Sequence, residues 1–154
     1  MKANTILQIV KIDPDLIEEI KPAWHRLPQT DHADGKYRLR KYSYVECNIE
    51  DLILGKMFIT DHKEHQFTQS SKYNKHQGDK VRTFDLIDDN VLHSNAMRQM
   101  VSVFQDKCSL PVRFQMNVHQ VRVKCEGGAT QLSPEGWHQD GYDCIAMIGI
   151  DRCN

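Results

Sequence analysis

Near the C-terminal end of the sequence, Gly136-Trp137-His138-Gln139-Asp140-Gly141 sets an imidazole and a carboxylate two positions apart. On extended backbone, side chains two residues apart project to the same side, so His138 and Asp140 can touch one ion. A neutral imidazole and a carboxylate suit Fe(II), and two such ligands on one face leave coordination positions open for a co-substrate and dioxygen. The same pair could serve a zinc hydrolase or a cupin-like isomerase, but catalytic zinc usually takes three protein ligands. A His-x-Asp triplet arises often by chance, and its setting is what singles this one out. Ser133-Pro134-Glu135-Gly136 predicts a turn before it, and the apolar run from Cys144 to Ile150 predicts a strand buried on both faces after it.

The stretch just upstream must present neighbouring groups to such a site. Val112, Phe114, Met116 and Val118 alternate with Arg113, Gln115, Asn117 and His119, the pattern of a strand buried on one face. Then the parity flips. From Val121 the apolar positions are Val121, Val123 and Cys125, so the face that carried Val118 now carries Gln120, Arg122 and Lys124. Either a β-bulge re-aims the side chains, or the strand runs from a packed barrel interior into its polar mouth. His119 points away from Arg122 and reads as a packed, hydrogen-bonded histidine. Gly127-Gly128 ends the strand.

The remaining elements supply the frame. Asp13 and Pro14 open a short helix with Leu16, Ile17 and Ile20 on its apolar face, expected to stop at Lys21 before Pro22. Tyr37 to Cys47 reads as a strand, with which the short run Met57-Phe58-Ile59-Thr60 could pair. Residues 61–80 form a long polar loop whose histidines, His62, His65 and His76, are irregularly spaced and read as surface groups rather than ligands. Val81 to Ile87 predicts another strand. Ser94 can cap a helix in which Met97, Met100, Val101 and Phe104 form a core-facing stripe.

The bulk numbers fit one domain over residues 1–154, with N-terminal helices and strands followed by a β-rich last third. A formal net charge of -1, from 20 Lys+Arg against 21 Asp+Glu, gives no basic field for nucleic acid, so small molecules are the expected partners. No run approaches the roughly 20 apolar residues that cross a bilayer, and Met1 to Ile12 lacks a secretory leader, so no membrane association and a cytoplasmic location are expected. Cys47, Cys108, Cys125, Cys144 and Cys153 have neither paired nor zinc-like spacing. Reduced thiols are expected, with Cys125 and Cys144 as small buried hydrophobes in a compartment that also suits ferrous iron.

Gly136 to Asp143, preceded by Val118-His119-Gln120-Val121-Arg122-Val123, resembles the bacterial family of 2-oxoglutarate/Fe(II) dioxygenases that includes L-isoleucine hydroxylase. Further segments are similar to the same family in the same order: Asp13-Pro14-x-Leu16-Ile17 with Lys21-Pro22, Arg38-Leu39-Arg40-Lys41-Tyr42, Gln69-Ser70-x-x-Tyr73-Asn74, Gly78, and Lys80-Val81-Arg82-x-Phe84. The likeness spans about residues 12–150. It implies a mainly β fold with flanking helices (α+β), a double-stranded β-helix or jelly roll, here incomplete. It also implies hydroxylation of a free aliphatic L-amino acid, with Fe(II) as cofactor and 2-oxoglutarate and dioxygen as co-substrates. By motif, His138 and Asp140 would ligate iron. Gln120 and Arg122, on one face of the neighbouring strand, would bind a carboxylate of substrate or co-substrate, because a guanidinium fork matches a carboxylate with two hydrogen bonds.

One departure stands out. Members of that family continue to a distal histidine, the third iron ligand, and to a basic residue that holds 2-oxoglutarate. In this sequence no histidine follows His138. The expectation is an incomplete copy of the enzyme, so that catalysis by this chain alone is uncertain. The alternatives are a second chain that completes the β-helix, a homo-oligomer among them, or a non-catalytic remnant acting as a binding module. Stopping after the 144–150 run would leave unpaired edges and uncovered apolar surface.

Overall fold

Asp13 caps the first helix, α1 (Pro14–His25): its carboxylate accepts the Asp15 N–H at 3.0 Å, and Pro14 takes the first position, where no N–H is required. The computed structural model describes residues 7–49, 66–75, 77–125, 130 and 140–152. α1 does not stop at Lys21 as expected but runs through Pro22 to His25. Pro22 removes one backbone bond, and the extra turn offsets this by burying Ala23 and packing Trp24 against the core.

Two long strands form the centre. β1 (Arg38–Asn48) pairs antiparallel with β4 (Arg113–Val123) in one unbroken register, from Arg38 opposite Val123 to Asn48 opposite Arg113. No bulge interrupts it, so the parity flip at His119-Gln120 reflects two differently covered regions of one regular strand. Two residues each of β2 (Gln66–Phe67) and β3 (Arg82–Thr83) make a second antiparallel pair. Just beyond β3, Asp85 bridges to Lys41 in parallel, and the Tyr42 N–H donates to the Asp85 carbonyl at 2.9 Å. The strand expected over Val81 to Ile87 is therefore only a short piece. Its end leaves the ladder for a side chain, the Ile87 N–H donating to Ser43 Oγ at 3.2 Å.

α2 (Asp89–Leu92) and α3 (Asn95–Cys108) follow. Ser94 caps α3 as expected, its Oγ accepting the Met97 N–H at 3.1 Å and donating to the Val91 carbonyl at 2.7 Å. The Met97 N–H is one of the donors at the start of a helix that lack intrahelical acceptors, and the Val91 carbonyl belongs to the end of α2, so Ser94 ties the two helices together. Ser94→Ala should therefore cost about 1 kcal/mol in urea unfolding; an unchanged midpoint would show that the cap contributes nothing.

The core lies between α3 and one face of the β1–β4 ladder. Val45 and Cys47 are fully buried there, with Val91, Leu92, Met97 and Val101 around them and Phe114, Met116 and Val118 packed alongside. Met100 joins Ile20 and Ala96 in a neighbouring cluster, so the methionine stripe is core packing.

The described residues form a mixed α/β arrangement with short antiparallel strands and do not show a complete double-stranded β-helix. The run from Cys144 to Ile150 is not the doubly buried strand expected. It has no strand structure, and Ile145, Met147 and Ile148 are 55%, 96% and 40% exposed. Apolar composition makes a buried strand only when neighbours supply backbone partners and cover, and no described strand lies beside this segment. Cys125, expected to be buried, is exposed because the ladder ends at Val123. No described helix is long and apolar enough to cross a membrane. The expected Met57–Thr60 strand, the Gly127-Gly128 strand break, the Ser133–Gly136 turn, His62, His65 and His76 lie outside the described residues.

Candidate functional site

The second face of the β1–β4 ladder, away from the helices, carries polar and aromatic groups. Alternation along β1 places Arg38, Arg40, Tyr42 and Tyr44 there, and along β4 it places Asn117 and His119. Tyr42 lies directly across from His119, with ring centroids 4.9 Å apart, and Phe67 of β2 meets the His119 ring edge-on at 4.7 Å. The Arg82 guanidinium lies over Phe67 at 4.9 Å, and that of Arg40 over Phe84 at 5.3 Å. Cation–π contacts of this kind hold a guanidinium without neutralising it.

Electrostatics on this face are lopsided. Burial, then the charges of Arg40, Arg82 and Arg38, push His119 down to about 3, so its ring is neutral at physiological pH. Its buried Nδ1 has no hydrogen-bond partner among the described residues. Burial raises the Tyr42 hydroxyl to about 12, keeping it a protonated donor, and it donates to Asn117 Oδ1 at 2.5 Å. Asn117 Nδ2 in turn donates to the Tyr142 hydroxyl at 3.2 Å. Burial, then the Asp140 carboxylate, raises Tyr142 as well.

Asp140 thus approaches the same face, and a second network holds it. Gln69 Nε2 donates to Asp140 Oδ1 at 3.0 Å, while Gln69 Oε1 accepts from Asn74 Nδ2 at 3.0 Å and from an Arg82 Nη at 3.1 Å. The next residue, Gly141, has φ +77, and a Cβ there would fall 2.7 Å from the Tyr73 ring. A left-handed backbone and a close approach both call for glycine at this one position. Two segments singled out separately in the sequence, Gln69-Ser70-x-x-Tyr73-Asn74 and Asp140-Gly141, therefore pack on each other.

The expected site residues fare differently. Asp140 belongs to this face, and His138 lies outside the described residues. Gln120 and Arg122 are on the opposite, helix-covered side: Gln120 is 2% exposed, and Arg122 donates to the His25 carbonyl at the end of α1 at 3.0 Å. The arrangement does not bring these two to Asp140, because an unbroken ladder keeps them on the parity of Val118. Tyr42, Gln69, Asn74, Arg82, Asn117 and Tyr142 take their place around it. For all but Asn117 the only sequence signal was the motif register that ties the loop and strand segments to the Gly136–Asp143 stretch; Asn117 showed only as a polar position in the alternation of residues 112–119.

The donor chemistry of Asp140 fits a cation. Its carboxylate oxygen is held at Oδ1 by a neutral amide, so that bond fixes orientation without cancelling charge. Among the described residues, no three His, Cys, Asp or Glu side chains converge as a complete ligand set.

A family model described as 2OG-Fe dioxygenase matches residues 21–154, and the chain belongs to that family, which uses Fe(II) and 2-oxoglutarate. A crystal structure of a bsmA homologue from Methylobium petroleophilum PM1 is similar, with a TM-score of 0.64 and 25% identity. The match covers 82% of this chain and 51% of that one, so the chain spans about half the length of that protein. No curated protein matches the sequence.

Proposed function

We propose that this chain is the part of a 2-oxoglutarate/Fe(II)-dependent dioxygenase that presents His138 and Asp140 to the iron, and that the enzyme hydroxylates a free aliphatic L-amino acid. The observation that carries this reading is the Asp140 carboxylate, oriented by Gln69 on the ladder face that holds Tyr42, Asn117 and His119. Bound iron and 2-oxoglutarate supply the oxidising chemistry. The residues of this chain bind and orient. Asp140 is a ligand, and the guanidinium charges of Arg40 and Arg82 give the face a positive potential that favours the carboxylate of an amino acid or of 2-oxoglutarate. This replaces the carboxylate role first expected of Gln120 and Arg122. Tyr42 and Asn117 orient polar groups of the substrate, and neutral His119 with Phe67 provides an uncharged wall against which an aliphatic side chain can lie.

In this reading the remaining ligand and the group that holds 2-oxoglutarate come from sequence equivalent to the half of the matched structure that this chain does not cover. The test is 2-oxoglutarate-dependent succinate release with Fe(II) across a panel of aliphatic L-amino acids. Release coupled to one amino acid is expected when sequence equivalent to the uncovered half is supplied together with this chain. Silence from that folded, iron-loaded assembly would remove the claim of activity.

A second reading, a non-catalytic module of the same fold, is favoured by the exposed Ile145, Met147 and Ile148, which an assembled β-helix would cover. Calorimetry with Mn(II) separates the two. A ligand-bearing half is stabilised by the ion through Asp140, whereas a remnant is not.

A further inference from the structure

The side-chain amide of Gln69 has one chemically sensible orientation. Its Oε1 lies 3.0 Å from Asn74 Nδ2 and 3.1 Å from an Arg82 Nη, two donors that a carbonyl oxygen satisfies and an NH₂ group cannot. The NH₂ must therefore face Asp140 Oδ1, 3.0 Å away. Arg82 is itself fixed, stacked on Phe67 at 4.9 Å and donating to Gln77 Oε1 at 3.3 Å, and the Gln77 N–H donates to Asn74 Oδ1 at 2.8 Å. Each member of the chain Gln77–Asn74–Gln69–Asp140 is held by the one before it, and Arg82 clamps the middle.

We infer that Gln69 is a positioning residue for the metal ligand Asp140: by holding Oδ1 it sets the plane of the carboxylate and so directs Oδ2 toward the ion. This rests on the reading of Asp140 as a ligand. The loop that carries Gln69 has no ligand of its own in this scheme, yet it decides how the carboxylate meets the metal. A neutral donor suits that task, since an arginine or lysine at the same place would compete with the cation for the carboxylate charge.

The test uses the full chain and two probe ions. Gln69→Met keeps side-chain length and removes the donor. Titration with Mn(II) should show binding weakened by roughly 10–100-fold. With Co(II) the visible absorption of the bound ion should shift in band position and intensity, a change that loss of stability alone does not cause. Arg82→Lys, which removes one of the two donors that hold the Gln69 amide oxygen, should weaken Mn(II) binding in the same direction by less, and it carries the test if Gln69→Met does not fold. Wild-type Mn(II) affinity together with an unaltered Co(II) spectrum in the folded variant overturns the inference while leaving Asp140 as ligand. If instead the wild-type chain binds no Mn(II), or Asp140→Ala binds it as the wild type does, the metal reading itself fails and the inference goes with it.

Discussion

Replacing Asp140 by alanine should abolish Mn(II) binding to this chain, a larger effect than the roughly 10–100-fold expected for a residue that only supports a ligand. In the proposed site the carboxylate would supply both the charge and one of the donor atoms, and Gln69 holds it at 3.0 Å. Asp140→Asn is the sharper comparison. Its amide can still meet Gln69 through its oxygen and nearly preserves volume, so the local fold should survive while the charge that attracts the cation is gone. Calorimetric titration of wild type and both variants, with thermal melts as the fold control, checks this. Retained affinity in Asp140→Asn would mean that the cation sits elsewhere.

The second large effect concerns acid. His119 is buried among aromatic rings and arginines, which holds it near 3 against about 6.5 in an unfolded chain. Between those two values the unfolded state binds a proton that the folded state refuses, so stability is full above pH 6.5 and falls as pH drops toward 3. The slope from this one group is about 1.4 kcal/mol per pH unit, and at pH 5 the accumulated cost is about 2 kcal/mol. Urea unfolding at pH 7 and pH 5 should show that loss in the wild type, and His119→Leu, which has no proton to gain, should show a shallower fall. Equal slopes in the two proteins would locate the acid sensitivity in other groups.

What could be read from the sequence was local or periodic. Asp13 and Ser94 as caps, the strand near 38–48 and the methionine stripe of α3 follow from neighbouring residues alone, and the structure has each of them. The spacing of His138 and Asp140 was visible for the same reason. The partner of Asp140 was not, since Gln69 stands 71 positions away and no period links a loop amide to a distant carboxylate. The flip at His119-Gln120 was legible as an event but not as a cause, and only the cross-strand register separates a bulge from a change of cover. Arg122 looked like a carboxylate binder because residue type says nothing about which side of a strand faces a helix end. Cys144 to Ile150 misled for a related reason: composition reports a preference for burial, whereas burial needs a neighbour.

The uninterrupted pairing of β1 with β4 has a practical corollary for anyone reshaping this protein. Because every second side chain is committed to one face, Asn117 can be varied on the polar side while Val45, Cys47 and Met116 continue to hold the helices, whereas Tyr42 on that same side is buried with Phe67 and Phe84 in a cluster of its own. The two strands thus carry a separate packed cluster on each side, and a library confined to one side should leave the packing of the other in place.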